Sequence, residues 1–169
     1  MKGEKIMTNR EDTKVFLNTW GAYNEGCIGY GWFRPAAARE FIEENPERDG
    51  GEWFIADVDN YLGIDFGALE YANVEDVIDT IETLEDMEDW EIREVVAMME
   101  FLSTRDVQEA IDGRDSYTIF DDIDAYYESC DELLDFRGNE MLERYFDWEA
   151  YHRDCAFDIY EASNGICIL

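Results

Sequence analysis

One segment near the middle of the chain combines an apolar helical face with an opposite face of carboxylates. The apolar positions recur at i, i+3, i+4, i+7 and i+10, the spacing of one side of an amphipathic α-helix; they are Val74, Val77, Ile78, Ile81 and Leu84. The acids of the outward side follow at i, i+4, i+7 and i+11; these are Glu75, Asp79, Glu82 and Asp86, here the first carboxylate row. Asn73 is placed to cap this helix.

A second segment repeats the same design further along the chain. Its apolar face consists of Ile123, Tyr126, Tyr127, Cys130, Leu133 and Leu134. Its acids are Asp124, Glu128, Asp131 and Asp135, here the second carboxylate row. Like charges at i, i+4 destabilise a helix by roughly 0.2–0.5 kcal/mol per pair, and a helix shaped only for solubility would alternate Glu with Lys. Because the rows contain scarcely any basic residues, we expect nothing inside the chain to neutralise them.

The charge of the whole chain restricts its partners. Forty-three Asp and Glu stand against 13 Lys and Arg, which gives a formal net charge of −30 in 169 residues. Hydrophobic residues make up 46% and aromatic residues 15%, which argues against a disordered acidic tail. Such a field repels nucleic acid and anionic membranes, and attracts cations or strongly basic proteins. The first ten residues contain no apolar signal segment, so a cytoplasmic protein with reduced cysteines is expected.

Patterns along the chain predict an α+β fold in three small domains, 1–72, 73–113 and 114–169. The first is predicted to be β-rich, with a hairpin of Lys14–Trp20 and Cys27–Phe33, a helix near Ala36–Glu44 and a strand at Glu52–Tyr61. The second is predicted to be helical, and its last helix is expected to be capped by Ser103. In the third, small strands are expected at Ser116–Phe120, Ala156–Tyr160 and Ile166–Leu169. Ser163-Asn164-Gly165 is the predicted turn of the final hairpin.

No catalytic residue, cofactor or metal site is predicted. His152 is the only histidine and lies in an aromatic segment, where a structural or surface role is favoured. Asp57-Val-Asp59-Asn60 begins like a calcium-binding EF-hand loop, but Leu62 and Ala68 occupy the positions that need Gly and Glu. The pair Gly29 and Gly31 lacks the third glycine of a dinucleotide fingerprint.

The size of the charge suggests what it imitates. Duplex DNA has one charge per about 1.7 Å of axis, so 30 net charges correspond to roughly 50 Å of duplex. We therefore predict a decoy for a DNA-binding protein, in which both rows stand in for phosphates and Asp57, Asp59 and Asp65 extend the field. Two alternatives stay open: ordinary solvated helix faces, and an acidic decoy or adaptor for another basic DNA-binding protein.

Two sequence motifs, one near each end of the chain, resemble those of a known protein family. Trp20-Gly-Ala-Tyr23-Asn24-Glu25-Gly26, followed by Gly31-Trp32-Phe33, resembles the opening of the ArdA antirestriction family. The segment from Tyr145 to Asp154 resembles that family's late motif Y-F-D-Y-x-A-Y-x-R-D, with Trp148 where Tyr is familiar. The chain also has an unusual Arg137-Gly-Asn turn. The motifs stand in matching order, whereas only acidity and helical character match between them.

The resemblance implies a specific activity. ArdA proteins are encoded on mobile genetic elements, mimic bent B-form DNA and occupy the DNA-binding groove of Type I restriction–modification enzymes, often blocking modification as well. The family fold is an elongated α+β chain of three small domains and dimerises through the last. Its antirestriction segment would align with 133–146, whose apolar members resemble packing or homodimer contacts; they are Leu133, Leu134, Met141, Leu142, Tyr145 and Phe146. The expected partner is thus the methyltransferase core of such an enzyme, with no nucleic acid or membrane bound.

Overall fold

The computed structural model describes residues 13–169, and its fold is α+β, which confirms the predicted class. The chain divides into two compact units, the first ending at Glu88 and the second spanning Asp89–Leu169. This boundary falls inside the segment 73–113 that the sequence assigns to a separate helical domain. The division into three domains therefore stays a prediction.

The first unit is a three-stranded antiparallel sheet covered by helices. Its elements are β1 (Lys14–Thr19), α1 (Trp20–Asn24), β2 (Gly31–Phe33), α2 (Pro35–Glu44), β3 (Trp53–Asp59) and α3 (Val74–Asp86). The strand order is β2-β1-β3, and β1 pairs with both neighbours. The predicted hairpin, the third strand and both helices are thereby confirmed.

The connection between β1 and β2 differs from the predicted turn. Trp20 leaves the strand and begins the short helix α1, because the Thr19 side chain accepts a hydrogen bond from the Ala22 backbone N–H at 3.2 Å. Gly21 is required here, since a Cβ atom would lie 1.9 Å from the carbonyl oxygen of Asp49. Residues 27–30, predicted to be part of the second strand, lie outside it.

The core of the first unit explains why α3 is amphipathic. Val15, Leu17 and Ile55 from the sheet pack with side chains of α2 and α3, which are Ala38, Val77, Ile78 and Ile81. The Asn73 side chain accepts hydrogen bonds from the backbone N–H groups of Glu75 and Asp76, which confirms the predicted cap. The apolar face of α3 is thus fixed in the core, and the first carboxylate row must point away from it.

The second unit contains five helices and a small antiparallel sheet. Its elements are α4 (Asp89–Leu102), α5 (Val107–Gly113), β4 (Ile119–Phe120), α6 (Ile123–Glu132), α7 (Glu140–Glu143), α8 (Trp148–Cys155), β5 (Tyr160–Glu161) and β6 (Cys167–Ile168). The strand order is β4-β6-β5. Strands β5 and β6 form the predicted hairpin about the Ser163-Asn164-Gly165 turn, but residues 156–159, predicted to be part of its first strand, lie outside it.

The cap of α5 is Asp106, not Ser103. A capping residue needs an extended backbone, whereas Ser103 has a positive φ of 54° at the end of α4. Asp106 has a φ of −79° and ψ of 106°, and its carboxylate accepts a hydrogen bond from the Glu109 backbone N–H at 3.1 Å. The expectation for Ser103 is therefore wrong by three residues.

Glu100 joins α4 to the final hairpin. Its carboxylate accepts hydrogen bonds from the Ser163 backbone N–H at 3.0 Å and from the Tyr160 hydroxyl at 2.9 Å. The hydrogen bonds from Ser163, followed by the one from Tyr160, lower the pKa of the Glu100 carboxyl. An acid is thus used inside the unit as a structural acceptor. No helix between residues 13 and 169 has the length and apolar character needed to cross a bilayer.

Two isoleucines of the first unit provide a matched test of the core. Ile78 is completely buried on α3, whereas Ile28 is 88% exposed. Ile78→Ala leaves a cavity and is expected to lower the free energy of unfolding by about 2–5 kcal/mol. Ile28→Ala is expected to change it by less than about 0.5 kcal/mol. Urea denaturation followed by circular dichroism measures both; equal effects would contradict this core.

Candidate partner-binding surface

The first carboxylate row lies on the outer side of α3. The side chains of Glu75, Asp79 and Glu82 are 52%, 68% and 39% exposed, and Asp86 is also exposed. At a rise of 1.5 Å per residue, the four acids extend along about 16 Å of helix. The row therefore presents carboxylate oxygens to solvent along the full length of α3.

An arginine of the neighbouring helix lies within this row. Arg39 of α2 donates from Nε to Glu75 at 3.0 Å, from Nη1 to Glu82 at 3.1 Å and from Nη2 to Asp79 at 2.6 Å. Its hydrogen bonds to Glu75 and Glu82 raise the pKa of the guanidinium further. The expectation that nothing inside the chain neutralises the rows is therefore wrong for the first row.

Sequence reasoning missed Arg39 because no local signal marks it. It is the only basic residue of α2, at positions 35–44, and lies 36 to 43 residues before its partners. Helical periodicity relates residues three or four positions apart, whereas this contact arises from the packing of α2 on α3. A single arginine on an otherwise uncharged or acidic helix is the weak signal that was available.

The second carboxylate row is less regular than predicted. Asp124 and Glu128 are exposed on α6, as expected, but α6 ends at Glu132 and Asp135 lies in the following turn. Asp131 is only 7% exposed, so its predicted place on the outward face is wrong. One side chain of the predicted row thus belongs to the interior of the second unit.

Asp131 is held by two other elements. Its Oδ1 lies 2.8 Å from Nε2 of His152 on α8, and its Oδ2 lies 3.8 Å from Nη1 of Arg137. The His152 ring stacks on Tyr127 of α6, with 4.3 Å between ring centroids. Because buried acids need partners of this kind, Asp131 acts here as a link between α6 and α8. It is a scaffold residue rather than part of the exposed field.

The three remaining predicted acids lie in the first unit. Asp57, Asp59 and Asp65 are all exposed. Asp57 accepts a hydrogen bond from the Val58 backbone N–H, and Asp65 from that of Gly67. Of the eleven predicted phosphate mimics, nine are exposed, Glu82 is partly exposed and Asp131 is buried.

The predicted dimer or scaffold residues separate into two groups. Leu133, Met141, Leu142 and Tyr145 are 82%, 73%, 52% and 81% exposed, and are here called the exposed apolar set. Leu134 and Phe146 are partly buried. The Phe146 ring lies 4.8 Å from Trp148 and 4.9 Å from Phe136, so it packs inside its own unit. The exposed apolar set is available for a contact outside the unit.

Carboxylates can also bind metal ions where several of them converge. Among residues 13–169, no three His, Cys, Asp or Glu side chains are grouped so that they could hold a metal ion.

These features define a small acidic α+β protein whose helices present carboxylates and whose C-terminal unit exposes apolar side chains. Residues 15–167 match the family model described as Antirestriction protein (ArdA), and the chain belongs to this family. Comparison with individual curated proteins gives no match. The resemblance of the two terminal motifs is thus confirmed over nearly the whole chain.

Asp131 and Asp124 test the distinction between scaffold and surface acids on one helix. Asp131→Asn removes a charged acceptor from a buried hydrogen bond, so we expect the free energy of unfolding to fall by about 1–3 kcal/mol. Asp124→Asn changes an exposed side chain, and a change within about 0.5 kcal/mol is expected. Thermal or urea unfolding of the two variants measures the difference. A neutral Asp131→Asn would show that the link between α6 and α8 contributes little.

Proposed function

We propose that this ArdA-family protein is a DNA mimic that occupies the DNA-binding groove of Type I restriction–modification enzymes in the cytoplasm and catalyses no reaction. The observation that carries the proposal is the exposed first carboxylate row on α3, in a chain whose family is antirestriction. The partner is the cationic groove of the methyltransferase core, where lysines and arginines otherwise meet DNA phosphates.

The charge spacing supports a field made by the whole chain. Four acids along about 16 Å of α3 give one carboxylate per roughly 5 Å, whereas a single DNA strand has one phosphate per about 3.4 Å. The first row alone is thus sparser than a DNA strand. The remaining acids, including Asp57, Asp59 and Asp65 of the same unit and Asp124, Glu128 and Asp135 of the second, supply the additional charge.

The mechanism is electrostatic competition. Each exposed carboxylate contributes a screened contact of at most about 1 kcal/mol, so affinity arises from many such contacts and falls as salt rises. A single neutral substitution then has little effect. Buried acids such as Asp131 stabilise the scaffold that holds the others.

The first carboxylate row can be tested by neutralising it as a group. The variant Glu75→Gln, Asp79→Asn, Glu82→Gln, Asp86→Asn is titrated into a Type I methyltransferase bound to labelled target DNA, at several salt concentrations. Losing four contacts is expected to weaken displacement at least about tenfold near 0.1 M salt. The dependence of displacement on salt is expected to become flatter.

A matched control separates position from total charge. Glu40, Glu43, Glu44 and Glu47 are exposed acids in the second half of α2 and just beyond its end, in the same unit. Changing all four to Gln alters net charge equally, and is expected to weaken displacement less than the α3 variant. Equal losses would indicate a contact that senses only total charge. No displacement by the parent protein at low salt would favour an acidic decoy or adaptor for another basic DNA-binding protein.

We also propose that the exposed apolar set forms a homodimer contact. Four large apolar side chains within residues 133–145 are exposed to water, in a protein whose charge otherwise opposes association. Patches of this kind commonly mark protein interfaces. A dimer would double the charge presented to the groove.

The dimer is tested by replacing two members of the exposed apolar set. Leu133→Ser with Tyr145→Ser is expected to shift the protein from dimer to monomer in sedimentation velocity, because the buried apolar contact is lost. Phe157→Ser is the control, since Phe157 is 81% exposed in the same unit but lies outside the set. A parent protein that sediments as a monomer at micromolar concentration would contradict the proposal.

A further inference from the structure

Arg39 is a basic side chain placed within the surface that the proposed function assigns to a basic partner. Its three donor nitrogens each reach a different acid of the first carboxylate row, and these acids lie on successive turns of α3. We propose that Arg39 is a positioning residue for this row: it holds the three carboxylates in one fixed arrangement for the partner's cations. The inference rests on the proposed function.

The guanidinium group of Arg39 has a rigid shape. It is planar, and its donors form a rigid fork. Nε, Nη1 and Nη2 donate hydrogen bonds to Glu75, Glu82 and Asp79 respectively. The rigid fork therefore sets the positions of the three carboxylates relative to one another. An ammonium group is a point charge on a flexible stem and does not impose such an arrangement.

The three acids of this contact are more exposed than the arginine that they bind. Arg39 is 29% exposed, less than Glu75 at 52%, Asp79 at 68% or Glu82 at 39%. Glu75 and Asp79 each use one oxygen in the contact with Arg39, through Oε2 and Oδ1. An ionised carboxylate has about four acceptor sites, so both can still accept hydrogen bonds from a partner. Arg39 therefore acts through the acids and is not itself the presented group.

Repulsion explains what the row would do without Arg39. Carboxylates at i, i+3 and i, i+4 repel each other, and exposed acid side chains have many rotamers to choose from. With the cation removed, the three acids separate and lose their common arrangement. A partner then has to order them when it binds, and this ordering weakens affinity.

Charge and positioning predict opposite results for Arg39→Gln. The substitution makes the chain more negative by one charge, so attraction by charge alone would tighten binding to a cationic groove. Loss of positioning would weaken binding despite the added negative charge. Because the signs differ, the measurement decides between them.

The experiment compares four full-length proteins in the displacement assay with the Type I methyltransferase and labelled DNA. These are the parent, Arg39→Gln, Arg39→Lys and Arg153→Gln. Arg153 is 66% exposed and its carboxylate contact, to Asp154, is 3.9 Å long, so Arg153→Gln removes one positive charge from the second unit, whereas the row belongs to the first. Circular dichroism confirms that each variant is folded before binding is measured.

Arg39→Gln is expected to raise the concentration needed for displacement by roughly three- to tenfold, the cost of ordering about one released acid side chain on binding. Arg153→Gln is expected to leave it unchanged or lower it. Arg39→Lys keeps the charge but not the fork, and is expected to lie between the parent and Arg39→Gln. If Arg39→Gln fails to fold, Arg39→Lys alone decides the question, since charge alone predicts no change for it.

The outcomes separate the two proposals. If the parent displaces DNA and Arg39→Gln displaces it equally well or better, Arg39 is not a positioning residue and the proposed function stands. If the parent does not displace DNA at low salt, the proposed function fails, and this inference fails with it. NMR tests the ion pairs independently of the partner. In the parent protein the Arg39 guanidinium is expected to rotate slowly and its Nε–H to exchange slowly with water, and fast exchange would contradict these ion pairs.

Discussion

Repulsion between carboxylates is the force against which α3 has to fold. On α3, three neighbouring pairs of the first carboxylate row oppose helix formation by roughly 1 kcal/mol in all. The same helix buries Val77, Ile78, Ile81 and Leu84, each at or below 8% exposure. Burial of one such side chain contributes about 1.5–3 kcal/mol, as an upper estimate. The apolar face therefore outweighs the acidic face, and the row is held because the core beneath it is held.

Three arginines contact acids that lie on helices. Arg114 donates to Glu94 at 2.6 Å and lies 3.5 Å from Glu91, and its guanidinium also lies 5.7 Å from the Trp90 ring centroid. Arg39 donates to three acids of the first carboxylate row, and Arg137 lies 3.8 Å from one acid of the second, Asp131. Nine of the ten basic residues in 13–169 are arginines, the side chain whose fork can serve several carboxylates at once. Internal cations in this protein therefore organise acids and do not cancel the net charge.

The sequence was informative about many features that depend on neighbours along the chain, although the Ser103 cap and the turn after β1 were local predictions that proved wrong. The amphipathic pattern predicted α3 with its Asn73 cap, and Ser163-Asn164-Gly165 predicted the final hairpin. It failed where contacts between distant segments decide the outcome. Asp131 fits the outward row by spacing, but the packing of α8 on α6 brings His152 to it and buries it. The contact of Arg39 with α3 was missed for the same reason. Helical periodicity indicates which face a residue occupies, but not which element covers that face.

Several residues that carry the family resemblance make packing or capping contacts, and none of the motif residues belongs to the acidic rows. Trp20 stacks on Phe54 with 4.6 Å between centroids, and Gly21 leaves no room for a side chain beside Asp49. In the late motif, Asp147 caps α8, and the Tyr151 hydroxyl donates to the backbone carbonyl of Cys130.

This division follows from the physics of the two kinds of position. A buried contact depends on shape, and a change of a single methylene group alters stability. A contact spread over many screened charges depends on charge density and tolerates the exchange or displacement of single acids. A protein of this design is therefore recognised by its scaffold, while its proposed function resides in side chains that no short motif can specify. Arg39 is an intermediate case, because it converts three individually replaceable acids into one arrangement that depends on geometry.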